Sequence, residues 1–208
     1  MNFSVAQLDL DPPPERVAEL SALLDDRERE RAAAYHFERD RRRFIVRRAL
    51  VRIEIAHATG DEPDSLRFIE GPQGKPSVSG APHLRFNVSH TEDLALVVMS
   101  REREIGCDIE RIDPDRARRD VAKRFFSPQE FAALTALPEE QWAEGFFNCW
   151  TRKEAYIKAL GIGLAYPLDS FSVSLAPGDQ PRLIMGEPGC TISTIDAGPS
   201  YSAAVVTL

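Results

Sequence analysis

The order of apolar and polar residues along the chain predicts helices alternating with short strands. Alternation over residues 3–10 predicts a first strand, which ends at the prolines of positions 12–14. Helical spacing of apolar residues predicts helices over 15–24, 26 to about 57, 121–137 and 142–160. Ser127 and Pro128 suit the N-cap and first position of a second part of the helix over 121–137, and Gly161 suits the end of the helix over 142–160. Further strands are predicted over 66–70, 84–88, 94–99, 104–110, 171–175, 182–185, 191–196 and 202–208, with turns at 71–76 and 89–93.

The two halves of the chain repeat this order of elements. Each half has a long helix followed by several short strands, and each ends in an apolar strand, at 94–99 and at 203–208. The repeat predicts an α+β fold built from a duplicated unit, with a boundary near residues 100–104. The alternative is one mixed domain whose halves share a common order of elements.

The chain is acidic overall but carries one basic segment. Its 26 Lys and Arg against 33 Asp and Glu give a formal net charge of −7, which argues against general binding to nucleic acid. Seven arginines fall within residues 39–52. We expect this basic segment to serve one polyanionic ligand while the acidic remainder repels nucleic acid.

The cysteines and the apolar stretches predict a cytoplasmic protein. Cys107, Cys149 and Cys190 form no CxxC pair, which is typical of a reducing compartment rather than of a disulfide framework or zinc site. The N-terminus, from Met1, lacks a basic region followed by an apolar run. No apolar stretch reaches the roughly 18 residues that a membrane span needs. We therefore expect neither a signal peptide nor a membrane partner.

Two carboxylates lie two positions apart in the predicted strand at 104–110. Asp108 and Glu110 project to one face of the strand, and Cys107 and Ile109 to the other. Adjacent carboxylates repel each other unless a cation lies between them, and hard oxygen ligands select magnesium. The alternative is a strand end with solvated acids, paired with Arg103 or Arg111.

A second group of polar residues lies on the helix predicted over 142–160. Trp150, Glu154 and Lys158 share one face of it, with Lys153 at the edge of that face. The loop at 161–164 has two glycines and allows backbone to approach a ligand closely. An ordinary surface salt bridge from Glu154 to Lys158, beside a core tryptophan, is the alternative.

The first half of the chain supplies candidate phosphate-binding residues. Ser89 and His90 end a predicted strand, where both side chains can reach a ligand. Lys75 lies in a tight turn, and Arg31 and Arg43 project from the basic helical region. Each of these residues is also common at a solvated surface, and we expect only one or two arginines of the basic segment to bind a ligand.

The chain resembles the 4′-phosphopantetheinyl transferases, specifically their larger, surfactin-type class. The family pattern is met by Ile-Gly-Cys-Asp-Ile-Glu at 105–110 and by Trp-Thr-Arg-Lys-Glu-Ala at 150–155 with Lys158. Further matches are Gly-Lys-Pro at 74–76, Phe-Asn-Val-Ser-His at 86–90, Lys-Arg-Phe-Phe-Ser at 123–127 with Glu130, and Leu-Asp-Ser-Phe-Ser at 168–172. The resemblance spans about residues 27–175. Two positions depart from the family: Glu28 replaces a basic residue and Phe44 a small hydroxyl residue.

This resemblance implies a fold and a reaction. The fold is an α+β pseudodimer in one monomeric chain, each subdomain a long helix packed on a small, mainly antiparallel sheet. Residues 1–102 hold the adenosine and 3′-phosphate of coenzyme A, and residues 103–208 carry the metal and the catalytic acids. The enzyme transfers the 4′-phosphopantetheine arm of coenzyme A to a serine of an apo acyl or peptidyl carrier protein and releases 3′,5′-ADP.

The resemblance also assigns roles to individual residues. Asp108, Glu110 and Glu154 surround magnesium, and Glu154 is the base that takes the serine proton. Lys153 and Lys158 offset phosphate charge during transfer. Ser89 binds the pyrophosphate, while the ribose and its 3′-phosphate are held by Arg43, Lys75 and His90, with Arg31 as a further candidate. Glu130 matches a family acid near the centre, and Trp150 shapes the pocket wall.

The carrier protein needs a docking surface, since both it and this chain are acidic. The segment 123–126, Lys-Arg-Phe-Phe, combines two cations with two aromatic rings and is expected to supply that surface. Two other functions use similar residues: a magnesium-dependent nucleotide pyrophosphatase or nucleotidyl transferase, and a non-catalytic module that binds coenzyme A or a carrier protein.

Overall fold

Two small antiparallel sheets, each with a long helix on one face, form the framework of the molecule. The computed structural model describes residues 3–71, 73–163, 166–186 and 188–208. Met1 and Asn2, Pro72 of the predicted turn at 71–76, and Leu164 of the predicted loop at 161–164 lie outside the described residues. No helix in the described ranges is both long enough and apolar enough to cross a bilayer.

The helices are α1 (Pro14–Ser21), α2 (Asp26–Ala33), α3 (Glu38–Thr59), α4 (Arg119–Phe125), α5 (Pro128–Thr135) and α6 (Trp142–Leu160), with 3₁₀ turns at Glu139–Gln141 and Leu168–Ser170. The strands are β1 (Ser4–Asp9), β2 (Phe68–Glu70), β3 (Pro76–Val78), β4 (Arg85–Thr91), β5 (Leu94–Ser100), β6 (Ile105–Arg111), β7 (Ser172–Val173), β8 (Leu183–Met185), β9 (Thr191–Thr194) and β10 (Tyr201–Thr207).

The two main sheets have the same plan. The first has the strand order β1-β5-β4 and the second β6-β10-β9, all antiparallel, and β2-β3 and β7-β8 form two-stranded ribbons. In each sheet the central strand, β5 or β10, is the apolar strand that ends its half of the sequence, and nearly every residue in it is buried. The predicted α+β class is confirmed.

Two predicted helices are each divided into two. The prediction over 26 to about 57 is wrong at residues 34–37, where Phe37 has an extended backbone and Tyr35 packs its ring on Phe44 at a centroid distance of 5.3 Å. The prediction over 121–137 is interrupted at Phe126, which is extended, and its second part starts as predicted, with Ser127 as the N-cap, in a capping box with Glu130, and Pro128 as the first residue of α5. The turn predicted at 89–93 is shorter, because residues 89–91 belong to β4, and strand β3 was not predicted.

Within the described residues the apolar core has three parts, one under each long helix and one between the two sheets. Alternate residues of β5 divide between them: Val97 packs under α3, while Leu96 and Val98 face the second sheet. There they meet buried residues of β6 and β10, namely Ile105, Cys107, Ile109, Ala203 and Val205. The opposite face of β6, which carries Asp108, is therefore turned away from this shared core.

Strands β4 and β6 lie side by side and are joined by side chains rather than by a backbone ladder. The amides of β6 donate to side-chain oxygens of β4 in three steps: Cys107 N to Asn87 Oδ1 at 2.9 Å, Ile109 N to Ser89 Oγ at 3.4 Å, and Arg111 N to Thr91 Oγ1 at 3.4 Å. These three side chains satisfy the edge of the second sheet, and they bring Ser89 next to Asp108.

Helix α6 crosses β6 at very close range. Gly106 makes this possible, since a Cβ there would overlap the backbone of Ala155 and Ala159 and lie 2.8 Å from the carbonyl carbon of Lys158. The crossing places the face of α6 that carries Glu154 and Lys158 beside the acidic face of β6. Gly161, with φ of 71°, ends the helix as predicted.

Candidate active site

A cleft of about 510 Å³ opens between α3 and β4 on one side and β6 and α6 on the other. Its lining includes Arg31, Phe44, Arg47, Arg48, Val51, Phe86, Ser89, His90, Asp108, Glu110, Trp150, Glu154 and Lys158. One wall is therefore rich in arginine and the other in carboxylates, with a serine, a histidine and a lysine between them.

Asp108 is the centre of the acidic wall. Only 4% of its surface is exposed, and its Oδ1 accepts hydrogen bonds from Lys158 Nζ at 2.6 Å and Ser89 Oγ at 2.7 Å. Burial raises the pKa of Asp108 in spite of Lys158, and its Oδ2 is buried without a hydrogen-bond partner. The carboxylate thus holds one oxygen fixed and presents the other unsatisfied.

Glu110 and Glu154 complete the acidic wall. Glu110 accepts a hydrogen bond from Thr91 Oγ1 at 3.3 Å, and burial together with the nearby Asp108 raises its pKa. Burial and Asp108 raise the pKa of Glu154 to about 7. The three carboxylates repel one another, so protons or a cation must accompany them at neutral pH.

Lys158 is the cation already present. Burial alone would lower its pKa, but the charge of Asp108 and the hydrogen bond to it raise the pKa overall. Lys158 also donates to Ser89 Oγ at 3.1 Å. The alternative of solvated acids paired with Arg103 or Arg111 is wrong, because Arg111 pairs with Glu92 and Arg103 donates to two carbonyl oxygens.

The acidic wall also fits a hard divalent cation. Its available metal ligands are carboxylate oxygens, which Mg²⁺ prefers. One of them, the buried Oδ2 of Asp108, makes no hydrogen bond that a metal ion would have to displace. Among the described residues, no three His, Cys, Asp or Glu side chains are already closed around a single metal position. The three carboxylates are suitable ligands for such a cation, and an incoming ligand would have to supply the remaining oxygens of its coordination shell.

His90 lies between the two walls and is held by Arg47, whose Nη1 contacts His90 Nε2. Burial, and then the charges of Arg47 and Lys158, lower the pKa of His90 to about 4. A guanidinium can only donate, so Nε2 of the neutral imidazole accepts and its proton lies on Nδ1. His90 therefore acts in this cleft as a neutral hydrogen-bond donor.

The arginine wall is built around Phe44. Arg31 and Arg47 place their guanidinium carbons 5.6 Å and 5.9 Å from the centroid of this ring. Arg48 is held differently, because its Nε donates to Glu28 Oε1 at 2.7 Å. The two departures from the family pattern, Glu28 and Phe44, are thus structural supports for arginines of this wall.

Two predicted phosphate-binding residues are engaged elsewhere. Arg43 donates through Nε to Asp11 Oδ1 at 3.0 Å and lines a small cavity next to the main cleft. Lys75 Nζ donates to Glu104 Oε2 at 2.8 Å and to the carbonyl oxygen of Ala159, near the end of α6, at 3.1 Å. Neither side chain lines the cleft, because a nearby carboxylate holds each one outside it.

Lys153, predicted to offset phosphate charge, is also outside the cleft. It is fully buried, with its Nζ 2.8 Å from Glu130 Oε2 and donating to the carbonyl oxygen of Phe171 at 2.7 Å. Glu130 in turn accepts from Ser127 N and Val173 N, both at 2.7 Å. Lys153 therefore does not reach the cleft in this structure, and its pair with Glu130 is an internal tie between α6, α5 and β7.

Trp150 separates the main cleft from a second, more apolar one. Its ring stacks on Phe146 and meets the edge of Phe125, at centroid distances of 6.2 Å and 6.0 Å. The second cleft, about 450 Å³ in volume, is lined by Arg124, Phe125, Trp150, Glu154, Tyr166, Pro167, Leu168 and Asp169. Glu154 is accessible from both clefts. Of the predicted docking segment, Lys123 and Arg124 are exposed, but Phe126 is a core residue.

Sequence reasoning missed Arg47 and Arg48 as residues of the cleft. The signal was present, since Phe44, Arg47, Arg48 and Val51 follow the i, i+3, i+4, i+7 spacing of one helical face, and all four line the cleft. It also missed Thr91 and Asn87, whose side chains bind the backbone of β6. Those two bonds depend on strand pairing across the halves, which local patterns do not show.

Comparison with known proteins gives the same result for both halves of the chain. The profile of the 4′-phosphopantetheinyl transferase superfamily matches residues 104–206, and a profile described as 4′-phosphopantetheinyl transferase, N-terminal, matches residues 10–102. The 4′-phosphopantetheinyl transferase HetI of a Nostoc species is 37% identical over 85% of this chain and 76% of that protein. A 4′-phosphopantetheinyl transferase of Bacillus subtilis is 34% identical over 89% of this chain and 83% of that protein. The 4′-phosphopantetheinyl transferase Sfp of Bacillus subtilis is 31% identical over 88% of this chain and 82% of that protein.

Proposed function

The chain belongs to the 4′-phosphopantetheinyl transferase superfamily, and from this premise we propose how its cleft moves the phosphopantetheine arm of coenzyme A to a carrier protein. In the reaction a serine hydroxyl of the apo carrier protein attacks the β-phosphorus of coenzyme A. The bond from that phosphorus to the bridging oxygen breaks, 3′,5′-ADP leaves, and the serine proton passes to a base.

The observation that carries the proposal is the meeting of Asp108, Glu110 and Glu154 with Lys158 and Ser89 in one cleft. Enzymes of this family generally use a divalent metal, and we propose Mg²⁺ with these three carboxylates as its protein ligands. When bound, the ion would offset charge on the diphosphate. The unsatisfied Oδ2 of Asp108 supports this assignment, because a buried acceptor without a donor favours a cation.

Lys158 and Ser89 are proposed to hold the diphosphate. Both are anchored on Asp108 Oδ1, at 2.6 Å and 2.7 Å, and Lys158 also donates to Ser89. This arrangement fixes a positive charge beside the place where the carboxylates would bind the metal, and the Ser89 hydroxyl, whose one proton is donated to Asp108, would turn to donate to the diphosphate. Such preorganised charge is what a phosphoryl transfer requires as negative charge moves to the leaving group.

Glu154 is proposed as the base for the serine proton. It borders both clefts, and in the metal-free chain its pKa of about 7 lets it exchange a proton near neutral pH. A serine entering through the second cleft would reach Glu154 past Trp150 and Phe125. The phosphates and the serine would then approach the same carboxylate from opposite sides.

The rim of the second cleft is proposed as the docking surface for the carrier protein. Arg124 is exposed there, Lys123 is exposed next to it on α4, and both would face an acidic carrier, while Phe125 adds partly buried apolar surface. Reversing both charges, Lys123→Glu with Arg124→Glu, should raise KM for the carrier protein and leave KM for coenzyme A unchanged. An unchanged KM for the carrier would refute this docking surface.

The enzyme is proposed to act as a cytoplasmic monomer that binds neither nucleic acid nor membrane. The shared core between the two sheets already pairs the halves within one chain, which supports a monomer. The net charge of −7 is consistent with the absence of nucleic-acid binding, and three cysteines without disulfide partners are consistent with the cytoplasm. Analytical ultracentrifugation of the purified protein tests the oligomeric state.

Transfer is tested by incubating the protein with coenzyme A, Mg²⁺ and an apo carrier protein and measuring the carrier's mass. The wild type should add one phosphopantetheine unit, and Glu154→Gln should lower the rate by roughly 10²- to 10⁴-fold while the fold is retained. Glu144→Gln, the same change at an exposed position of α6, is the matched control and should keep full activity.

The same assay separates the two other functions considered from the sequence. A nucleotide pyrophosphatase or nucleotidyl transferase would break the diphosphate without adding mass to the carrier. A non-catalytic binding module would give no product with the wild type or the variant. Family membership favours neither of these two functions, and a mass gain of the carrier protein in this assay would exclude both.

A further inference from the structure

The arginines of the basic segment differ in how their charges are compensated. Five pair with carboxylates: Arg39 with Asp40, Arg41 with Glu38, Arg43 with Asp11, Arg48 with Glu28, and Arg52 with Glu28 and Asp25. Arg42 donates to the carbonyl oxygen of Pro12 at 3.2 Å. Among the residues that the structure describes, Arg47 has no carboxylate within 4.0 Å.

Arg47 also lines the cleft, so its uncompensated charge faces any ligand bound there. It is half-buried between Phe44 and His90, and its hydrogen bond goes to a neutral imidazole. Burial lowers the pKa of its guanidinium, since no carboxylate offsets the loss of water. A cation placed in this way favours an anionic ligand, because only an anion would compensate both its charge and its lost hydration.

The position of Arg47 indicates which anionic group it meets. The diphosphate of coenzyme A would be drawn to the opposite wall by Lys158, Ser89 and the carboxylates. The remaining anionic group of coenzyme A is the phosphate on its ribose. Arg31, exposed on the other side of Phe44, and the Nδ1–H of His90 are further donors beside Arg47.

We infer that Arg47, assisted by Arg31 and His90, binds the 3′-phosphate of coenzyme A, an inference that rests on the proposed function. The enzyme then distinguishes coenzyme A from 3′-dephospho-coenzyme A through the face of α3 that carries Phe44 and Arg47. Arg43 and Lys75, which the resemblance assigned to this phosphate, are already neutralised by Asp11 and Glu104.

The experiment measures binding and transfer with coenzyme A and with 3′-dephospho-coenzyme A. Binding is measured by calorimetry, and kcat/KM is measured with a saturating apo carrier protein. Arg47→Met keeps the length of the side chain and removes its charge, while Arg47→Lys keeps the charge and removes the planar fork. Arg41→Met, an exposed position of the same helix paired with Glu38, is the matched control.

The wild type and Arg41→Met should prefer coenzyme A, and Arg47→Met should reduce this preference by about 10- to 100-fold in both Kd and kcat/KM. Arg47→Lys should restore part of it. An unchanged preference, or an equal loss with both substrates, would overturn the inference. Failure of the proposed function would look different: no transfer by the wild type, with or without an effect of Arg47 on the relative binding of the two nucleotides.

Discussion

At the scale of single residues, the acidic wall makes the stability of the metal-free protein depend on pH. Glu154 has a pKa of about 7 in the folded chain against 4.5 when unperturbed, because burial and Asp108 disfavour its charge. The stability that neutral Glu154 contributes is fully present below the unfolded pKa and is lost as pH rises through the folded pKa. In a chelator, the Tm of the wild type should therefore fall between about pH 5 and about pH 7.5.

Glu154→Gln isolates this effect. The glutamine does not titrate, so its Tm should fall less over the same interval, while the opposite contribution of His90 is common to both proteins. Mg²⁺ should raise the Tm of the wild type more at the higher pH, since a charged Glu154 binds the ion better. Parallel Tm profiles for the two proteins would show that Glu154 does not titrate in this range.

The buried ion pair of Lys153 and Glu130 gives a second prediction about single residues. Lys153→Met leaves the Glu130 carboxylate buried without its cation, which should lower the free energy of unfolding by about 3–5 kcal/mol. Adding Glu130→Gln should recover part of that loss, because the two residues act as one unit. Urea denaturation measures both effects, with Lys123→Met as the exposed control. If the single variant stays stable but loses kcat, then Lys153 acts on the phosphates.

At the scale of elements, the contact of α6 with β6 sets the geometry of the cleft. The backbone of α6 at Ala155, Lys158 and Ala159 lies directly over Gly106 of β6. This part of the helix carries Glu154 and Lys158, the two proposed catalytic residues of α6. Gly106→Ala must push the helix outward, and a displacement of about 1 Å at a reacting group costs about 100-fold in rate. We expect kcat to fall by that order, with a moderate loss of Tm.

Gly145→Ala is the matched control for Gly106→Ala. It adds the same methyl group to α6 itself, but there the nearest obstacle is the flexible end of the Leu137 side chain. The added methyl also favours the helix, since alanine forms helices better than glycine. Its kcat should stay near that of the wild type. Equal losses in the two variants would mean that any perturbation of α6 lowers the activity.

At the scale of the whole molecule, much of the architecture was predictable because several local signals agreed. Helix α6 begins and ends at the predicted residues, since apolar spacing and the terminal glycine point to the same bounds. The break at residues 34–37 was not predictable, because it contains neither glycine nor proline and depends on the packing of Tyr35 against Phe44. Periodicity describes a segment, and tertiary contacts decide where it is interrupted.

The sequence predicted the residues of the candidate site better than it predicted where their side chains point. Asp108, Glu110, Glu154 and Lys158 share the cleft because strand and helix spacing determines which side chains project together. Lys153 precedes Glu154 by one position and so points about 100° away around the helix, into the core. Whether an arginine of the basic segment is free for a ligand depends on distant acids, which no local pattern reveals.

The shared core predicts that neither half of the chain folds stably alone. A cut between residues 102 and 103 would expose Leu96 and Val98 on one fragment and the apolar faces of β6 and β10 on the other. It would also remove the donors and acceptors that join β4 to β6. Each fragment should aggregate or remain largely unfolded, as circular dichroism and size-exclusion chromatography would show.

Refolding the two fragments together should restore both the complex and the activity. The interface buries apolar residues from both halves, so a one-to-one complex should elute at the size of the intact chain. Transfer activity should appear only in that complex, because Ser89 and His90 come from the first fragment and Asp108 and Glu154 from the second. Asn87→Ala in the first fragment should weaken assembly, since it leaves the buried amide of Cys107 without an acceptor. A second fragment that folds and transfers phosphopantetheine alone would contradict a catalytic cleft shared by the two halves.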